Sequence, residues 1–250
     1  MRENWYETFF QGVTSEFWDK MVTQEFNEKE GRFLLSLLNL PVEAWVLDAP
    51  SGSGRMALWM ASKKGICAEG WDINQGSIEL LNEEARRLKV PAIGVQANLV
   101  EVTPGMEKFD GAVCLGNCFG YFDHVGMERF IHHISYSLKK GASWVIHTGM
   151  LAESIFPNWM NEDIFEVGDM TMEIENTYDP LECKMEIKST FTKPDGTREG
   201  RDFQHYIYTL KEVIHMLGKG GLELTGLYNG VEGEDFALGD EQLYIVARKL

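Results

Sequence analysis

A chain of 250 residues is long enough for one domain with a sizeable core, and its 44% hydrophobic content is ordinary for a globular protein. Acidic residues outnumber basic ones 39 to 23, a net charge of −16, and no Lys/Arg-rich run interrupts that excess. A phosphate-gripping surface is therefore not expected, which argues against a nucleic-acid partner and against an acidic membrane surface. No apolar run approaches the length of a bilayer span, and the opening Met1–Tyr6 segment has no signal-peptide pattern, so the expected compartment is the cytoplasm. Cys67, Cys114, Cys118 and Cys183 form no C-x-x-C pair and read as reduced thiols, with no metal site expected.

In chain order, residues 1–40 read as helical and are rich in aromatic side chains, among them Trp5, Tyr6, Phe10 and Trp18. Phe33, Leu34, Leu37 and Leu38 lie on one helical face that Pro41 ends. Strand and helix signals then alternate. Residues 44–47, 67–71, 92–96, 112–115 and 144–147 read as strands; residues 56–62, 78–88 and 127–138 read as helices. The last of these helices is expected to stop at Lys139-Lys140-Gly141. Residues 170–177, 183–192 and 201–208 have β-rich character, with turns at Asp179-Pro180 and Pro194-Asp195-Gly196. A helix at 210–217 and strands at 222–227 and 242–248 close the pattern. The order predicts an α/β fold: a Rossmann-like, mostly parallel sheet with helices on both faces, an antiparallel β insertion after the fifth strand and an N-terminal helical segment. The whole of 1–250 reads as one domain. Its parts are helical residues 1–40, a core at 41–149, the insertion at 150–208 and the end of the core sheet at 209–250.

The run Asp48-Ala49-Pro50-Ser51-Gly52-Ser53-Gly54-Arg55 leads from a buried strand through a glycine turn into a helix. Glycines let a ligand approach the backbone, and the helix start offers free N–H groups. Asp72 ends the next strand, 18 residues after Gly54, where a carboxylate can accept both ribose hydroxyls of an adenosine. Gly52-x-Gly54-x-x-Ala57 also satisfies the dinucleotide fingerprint, so an NAD(P)-dependent oxidoreductase is an alternative. Tyr136-x-x-x-Lys140 mimics a reductase pair, but a helix stop explains it more simply.

The Asp48–Arg55 run followed by Gly70-Trp71-Asp72-Ile73 resembles class I S-adenosylmethionine-dependent methyltransferases, of the bacterial small-molecule kind. Phe109-Asp110-Gly111-Ala112-Val113, Gly116-Asn117-Cys118-Phe119-Gly120-Tyr121-Phe122, Leu138-Lys139-Lys140-Gly141 and Leu217–Leu222 continue the likeness in order, over residues 5–249. The resemblance implies methyl transfer from S-adenosylmethionine to a small-molecule nitrogen or oxygen nucleophile by in-line displacement. It places the methionine end of the cofactor at Asp48, Pro50, Gly52, Ser53, Gly54 and Arg55, with Asp72 on the ribose and Ile73 on adenine. Asn98 and Leu99 stand near the adenine amino group, where the family often has an acid. Gly116 offers a carbonyl to the ammonium. Tyr6 and Trp18 belong to a lid over the cofactor, and Asn117 and Tyr121 face the acceptor. His147 and His205 are the candidate bases. The insertion and the N-terminal helices are expected to close on the methyl group from opposite sides. The insertion strands suit a dimer interface equally well, and a non-catalytic S-adenosylmethionine-binding module is the remaining alternative.

Overall fold

The computed structural model describes residues 5–250, so the Met1–Asn4 part of the expected helical segment lies outside the described residues. Three helices open the chain: α1 (Tyr6–Phe9), α2 (Val13–Met21) and α3 (Gln24–Leu38). Thr23 caps α3 by accepting from the Phe26 N–H at 3.1 Å, and Asn39 ends it in the left-handed conformation. The alternating part follows as β1 (Ala44–Asp48), α4 (Arg55–Ala61), β2 (Ile66–Asp72), α5 (Gln75–Leu88), β3 (Ala92–Gln96), β4 (Phe109–Cys114), α6 (His124–Ser137) and β5 (Leu138–Thr148). Next come α7 (Ala152–Ile155), β6 (Glu162–Val167), β7 (Met170–Asp179), β8 (Lys184–Thr192) and β9 (Arg198–Tyr206). The chain closes with α8 (Leu210–Lys219), β10 (Leu222–Asn229), β11 (Glu234–Asp235) and β12 (Leu243–Lys249).

One eight-stranded sheet runs in the order β11-β10-β12-β5-β4-β1-β2-β3. The five strands from β5 to β3 pair in parallel, and β12 enters antiparallel between β5 and β10. Successive side chains of a strand face opposite sides, and both sides here are buried. Leu47, Ala112, Trp144, Ile146 and Ile245 pack with α6 and α8, whereas Val46, Val113, Val145 and Tyr244 pack with α3 and α4. The insertion is a separate antiparallel sheet of four strands, β6-β7-β8-β9.

Helix α6 ends at Ser137 instead of continuing to the Lys139-Lys140-Gly141 stop; Leu138 is already extended and opens β5. The two lysines lie in that strand, beside an irregularity where Phe109 pairs with Leu138 but Gly111 pairs with Ser143. Pairing with β4 thus overrides the local helix-end signal. Helix α3 packs on the parallel sheet, but α1 and α2 do not rest chiefly on it. Trp5, Phe9, Val13 and Phe17 share one buried cluster with Met170, Met172 and Phe191 of the antiparallel sheet. Among the described residues no helix is long and apolar enough to cross a membrane.

Candidate active site

The carboxyl ends of β1 and β2 converge on the glycine turn. Ser51 N–H donates to the Trp71 carbonyl at 2.9 Å and Gly52 N–H donates to Asp72 Oδ2 at 2.8 Å, which stitches the turn to the end of β2. Gly54 is left-handed, and a Cβ there would lie 2.3 Å from Leu81 Cγ, so both backbone and packing demand glycine. Gly52 differs: its φ is +53°, yet an added Cβ would meet nothing within 4 Å. Gly116, after β4, has φ +72° and the same open space. These two glycines leave bare backbone facing a void instead of a protein neighbour.

That void is a cavity of about 1000 Å³ over the strand ends. Asp48, Pro50, Gly52, Ser53 and Arg55 line one side of it; Asp72, Ile73, Asn98 and Leu99 line another. Gly116 and Tyr121 form the far wall, and Tyr6 and Trp18 come from the N-terminal helices. Phe10 and Phe122 complete an aromatic chamber, Phe10 stacked on Tyr121 at 6.1 Å between centroids and Tyr6 edge-on to Phe122 at 5.1 Å.

Each charged group on the wall has a definite setting. Asp72 Oδ1 accepts from the Asn74 N–H and Oδ2 from the Gly52 N–H, both at 2.8 Å, yet burial outweighs these bonds and raises its pKa. The Ile73 main chain also bonds to this carboxylate, which still keeps lone-pair capacity for a ligand hydroxyl. Asp48 is 3% exposed and accepts from the Ala57 N–H at 3.0 Å, and burial pushes its carboxyl up to about 7. Arg55 is the one cation among the described lining residues. Its Nη1 lies 2.6 Å from both Asn27 Oδ1 and Glu30 Oε2. Glu30 is almost fully buried and also accepts from the Tyr244 hydroxyl at 2.9 Å. Asn98 Oδ1 accepts from the Val100 N–H at 3.1 Å, so one of its lone pairs is already held by its own turn. Burial holds the Cys118 thiol up at about 12 and the Tyr121 hydroxyl well above its usual value.

Four expected site residues fall elsewhere. Gly54 supports the turn from beneath, as described above. Asn117 does not line the cavity; its Oδ1 accepts from the Gly149 N–H at 2.7 Å and ties the loop after β4 to the end of β5. His147 is displaced from the role of base: it faces the α3 side of the sheet and stacks on Tyr244 at 4.6 Å, with neither ring nitrogen bonded. Burial lowers its pKa. His205 also lies behind the wall, 3% exposed, among the rings of Trp5, Tyr121 and Phe203. Among the described residues its Nδ1 has no partner, and burial pushes its pKa down to about 3. No residue of 150–208 lines the cavity. The insertion backs the N-terminal helices from outside, so the two do not close on the cavity from opposite sides. Sequence reading missed Glu30, Asn27 and Asn74. The first two sit on a helix face that gives no signal of burial; Asn74, just after a strand and three residues before Ser77, carried an N-cap signal.

Residues 46–141 match the family model described as a methyltransferase domain. Solved structures with the same fold include an S-adenosylmethionine-dependent methyltransferase from Clostridium acetobutylicum, 15% identical, covering 94% of this chain and 97% of that one with a TM-score of 0.80. The CcbJ methyltransferase from Streptomyces caelestis is 15% identical over 100% of this chain and 99% of its own, TM-score 0.81. CalS10, an amino pentose methyltransferase from Micromonospora echinaspora, is 16% identical over 96% of this chain and 98% of its own, TM-score 0.69. No curated protein matches in sequence. Residues 46–141 thus match a methyltransferase domain, and the chain as a whole shares the fold of S-adenosylmethionine-dependent methyltransferases. The glycine turn fits the cofactor of that class: bare backbone at Gly52 and Gly116, a carboxylate at Asp72 with free lone pairs, and a guanidinium at Arg55.

Proposed function

We propose that the protein transfers the methyl group of S-adenosylmethionine to a small-molecule acceptor, at nitrogen in preference to oxygen. The observation that carries this is the cavity of about 1000 Å³, which joins the glycine turn and Asp72 to an aromatic chamber of Tyr6, Phe10, Trp18, Tyr121 and Phe122. That volume stands at the upper end of the range of about 300–1,000 Å³ for small-molecule sites. It suits a cofactor with a small acceptor beside it.

When bound, S-adenosylmethionine supplies a methyl carbon already activated by its positively charged sulfur. The protein's task is then to hold, align and exclude water. Asp72 accepts the ribose hydroxyls, Ile73 and Leu99 pack on adenine, and Asn98 meets its edge. Gly52, Ser53 and Gly116 offer main-chain groups to the methionine end, and Arg55 pairs with its carboxylate. Asp48 and Pro50 shape the turn. The rings shed water and place electron-rich faces around a positive centre.

Nitrogen is favoured because the described wall holds no imidazole: His147 and His205 lie behind it, burial keeps Tyr121 and Cys118 protonated, and Asp48, the carboxyl raised to about 7, is bonded to the Ala57 N–H within the turn. An alcohol needs a base to become a good nucleophile, whereas a neutral amine already offers its lone pair. Solved structures of the same fold include the sugar N-methyltransferase KedS8 from Streptoalloteichus and the 1,6-didemethyltoxoflavin-N1-methyltransferase of Burkholderia thailandensis. All four cysteines are unpaired, in keeping with a reducing, cytoplasmic setting.

Calorimetry with S-adenosylmethionine, S-adenosylhomocysteine, NAD and NADP tests the cofactor. Mass spectrometry of matched amine and alcohol acceptors tests the nucleophile. Binding of the two S-adenosyl ligands with methylation of amines supports the reading. Tight NAD binding with no S-adenosylhomocysteine signal overturns it, and cofactor binding without turnover leaves the non-catalytic module.

A further inference from the structure

We propose that Asn74 is a positioning residue that couples occupancy of Asp72 to the seating of the N-terminal helices over the cavity. The inference rests on the cofactor reading above.

Besides accepting the helical bond from the Ile78 N–H at 3.2 Å on its main-chain oxygen, Asn74 makes three hydrogen bonds in three directions. Its main-chain N–H donates to Asp72 Oδ1 at 2.8 Å. Its side-chain Oδ1 accepts from the Ser77 N–H at 2.9 Å and caps α5. Its Nδ2 donates to the main-chain oxygen of Phe10 at 2.9 Å, a contact between residues 64 apart in sequence. Capping needs only an acceptor, and Asp or Ser serves it about as well as Asn. The amide adds a donor on its other arm, and that donor is spent on Phe10.

The surroundings give this bond its weight. The N-terminal helices are anchored to the antiparallel sheet: they share its core, and the ion pairs Lys20–Asp169 at 2.9 Å and Lys193–Glu16 at 3.6 Å run to the same side. Toward the cofactor turn, two side-chain links from the stretch 5–22 stand out among the described residues. Ser53 Oγ donates to Asp19 Oδ1 at 3.3 Å in an exposed setting, while the Asn74–Phe10 bond is partly buried. Phe10 is also a wall of the aromatic chamber, stacked on Tyr121. A ligand that engages Asp72 fixes residues 72–74, and through Asn74 it fixes Phe10. Coupling of this kind is reciprocal: whatever seats Phe10 also strengthens the ligand on Asp72. The acceptor chamber is thereby completed once the cofactor is in place.

Asn74→Ser and Asn74→Asp keep the capping acceptor and remove the donor to Phe10. Amide hydrogen exchange over residues 8–21 and calorimetry with S-adenosylhomocysteine, on the full chain, read the two ends of the coupling. In the wild type the ligand should slow exchange in these helices. In both variants that protection should drop, and the ligand should bind about fivefold more weakly or worse, the lower end of typical couplings. The Ser77 and Ile78 amides and the melting temperature without ligand should stay as in the wild type. Unchanged protection and affinity would reduce Asn74 to a helix cap and overturn the proposal. Protection lost at Ser77 and Ile78 in step with residues 8–21, in both variants, would assign the effect to α5 and overturn it too. A wild type that does not bind S-adenosylhomocysteine overturns the cofactor reading, and this inference with it.

Discussion

Asp72 and Arg55 each brace the fold and, in the proposed reading, also meet the cofactor, and this shapes what their substitution should do. Asp72→Ala removes the acceptor for two main-chain N–H groups as well as for the ribose. S-adenosylhomocysteine affinity should fall by a few kcal/mol, since hydrogen bonds to charged groups contribute about 1.5–3 kcal/mol each. The ligand-free melting temperature should fall too. Unaltered affinity in calorimetry would make Asp72 a brace for the turn alone. Arg55→Lys keeps a counter-ion for the buried Glu30 but loses the planar fork. It should weaken S-adenosylhomocysteine more than 5′-methylthioadenosine, which lacks the amino-acid end. Equal losses for the two ligands would remove Arg55 from the carboxylate. His205 is held neutral by burial with a pKa of about 3, whereas an unfolded chain protonates histidine near 6.5. Below that value the unfolded state binds a proton that the folded state refuses, so this residue lowers stability as pH falls from about 6.5 toward 3. Measured against His205→Phe, the wild type should lose melting temperature between pH 7 and pH 5. A pH-independent difference between the two would contradict this.

The strands and helices were legible where their own residues decide them. Residues 92–96 read as a strand and form β3, because the short run with β-branched Ile93 and Val95 suits parallel pairing with β2. Legibility failed where a partner decides. Glu162–Val167 holds three acids and exposes most of its side chains, so nothing local marks β6; pairing with β7 makes it a strand. The Lys139-Lys140-Gly141 signal was real chemistry overruled by the neighbouring β4. His147 and His205 stand near strand ends, a good place for catalysis, but which face of a strand meets the cavity depends on the sheet around it. The turn from Asp48 to Arg55 was readable because Gly52 and Gly54 sit at left-handed backbone positions, a demand written in the local sequence. Phe17 and Phe191, 5.4 Å apart, join α2 to β8. Phe191→Ala should cost about 3–5 kcal/mol and speed amide exchange across residues 13–21, although Phe191 is far from them in sequence. Faster exchange confined to the antiparallel sheet would deny that the two share a core.

At the scale of the whole molecule, a net charge of −16 surrounds a cavity whose described wall carries Asp19, Asp48, Asp72, Glu79 and Glu83 against the single cation Arg55. Such a field draws in an amine in its protonated form, which gives up its proton to water before it attacks, and slows an anion. For an amine acceptor, kcat/KM should fall as salt is raised, because the screening length shrinks from about 8 Å at 0.15 M to about 3 Å at 1 M. Rising kcat/KM with salt would instead indicate an anionic acceptor. The common core of Trp5, Phe9, Val13 and Phe17 with Met170, Met172 and Phe191 has a consequence for recombination. A chimera that imports residues 150–208 alone would press a foreign sheet against resident aromatic rings shaped for another. Residues 5–22 and 150–208 must travel together, because two stretches far apart in the sequence form one transplantable module.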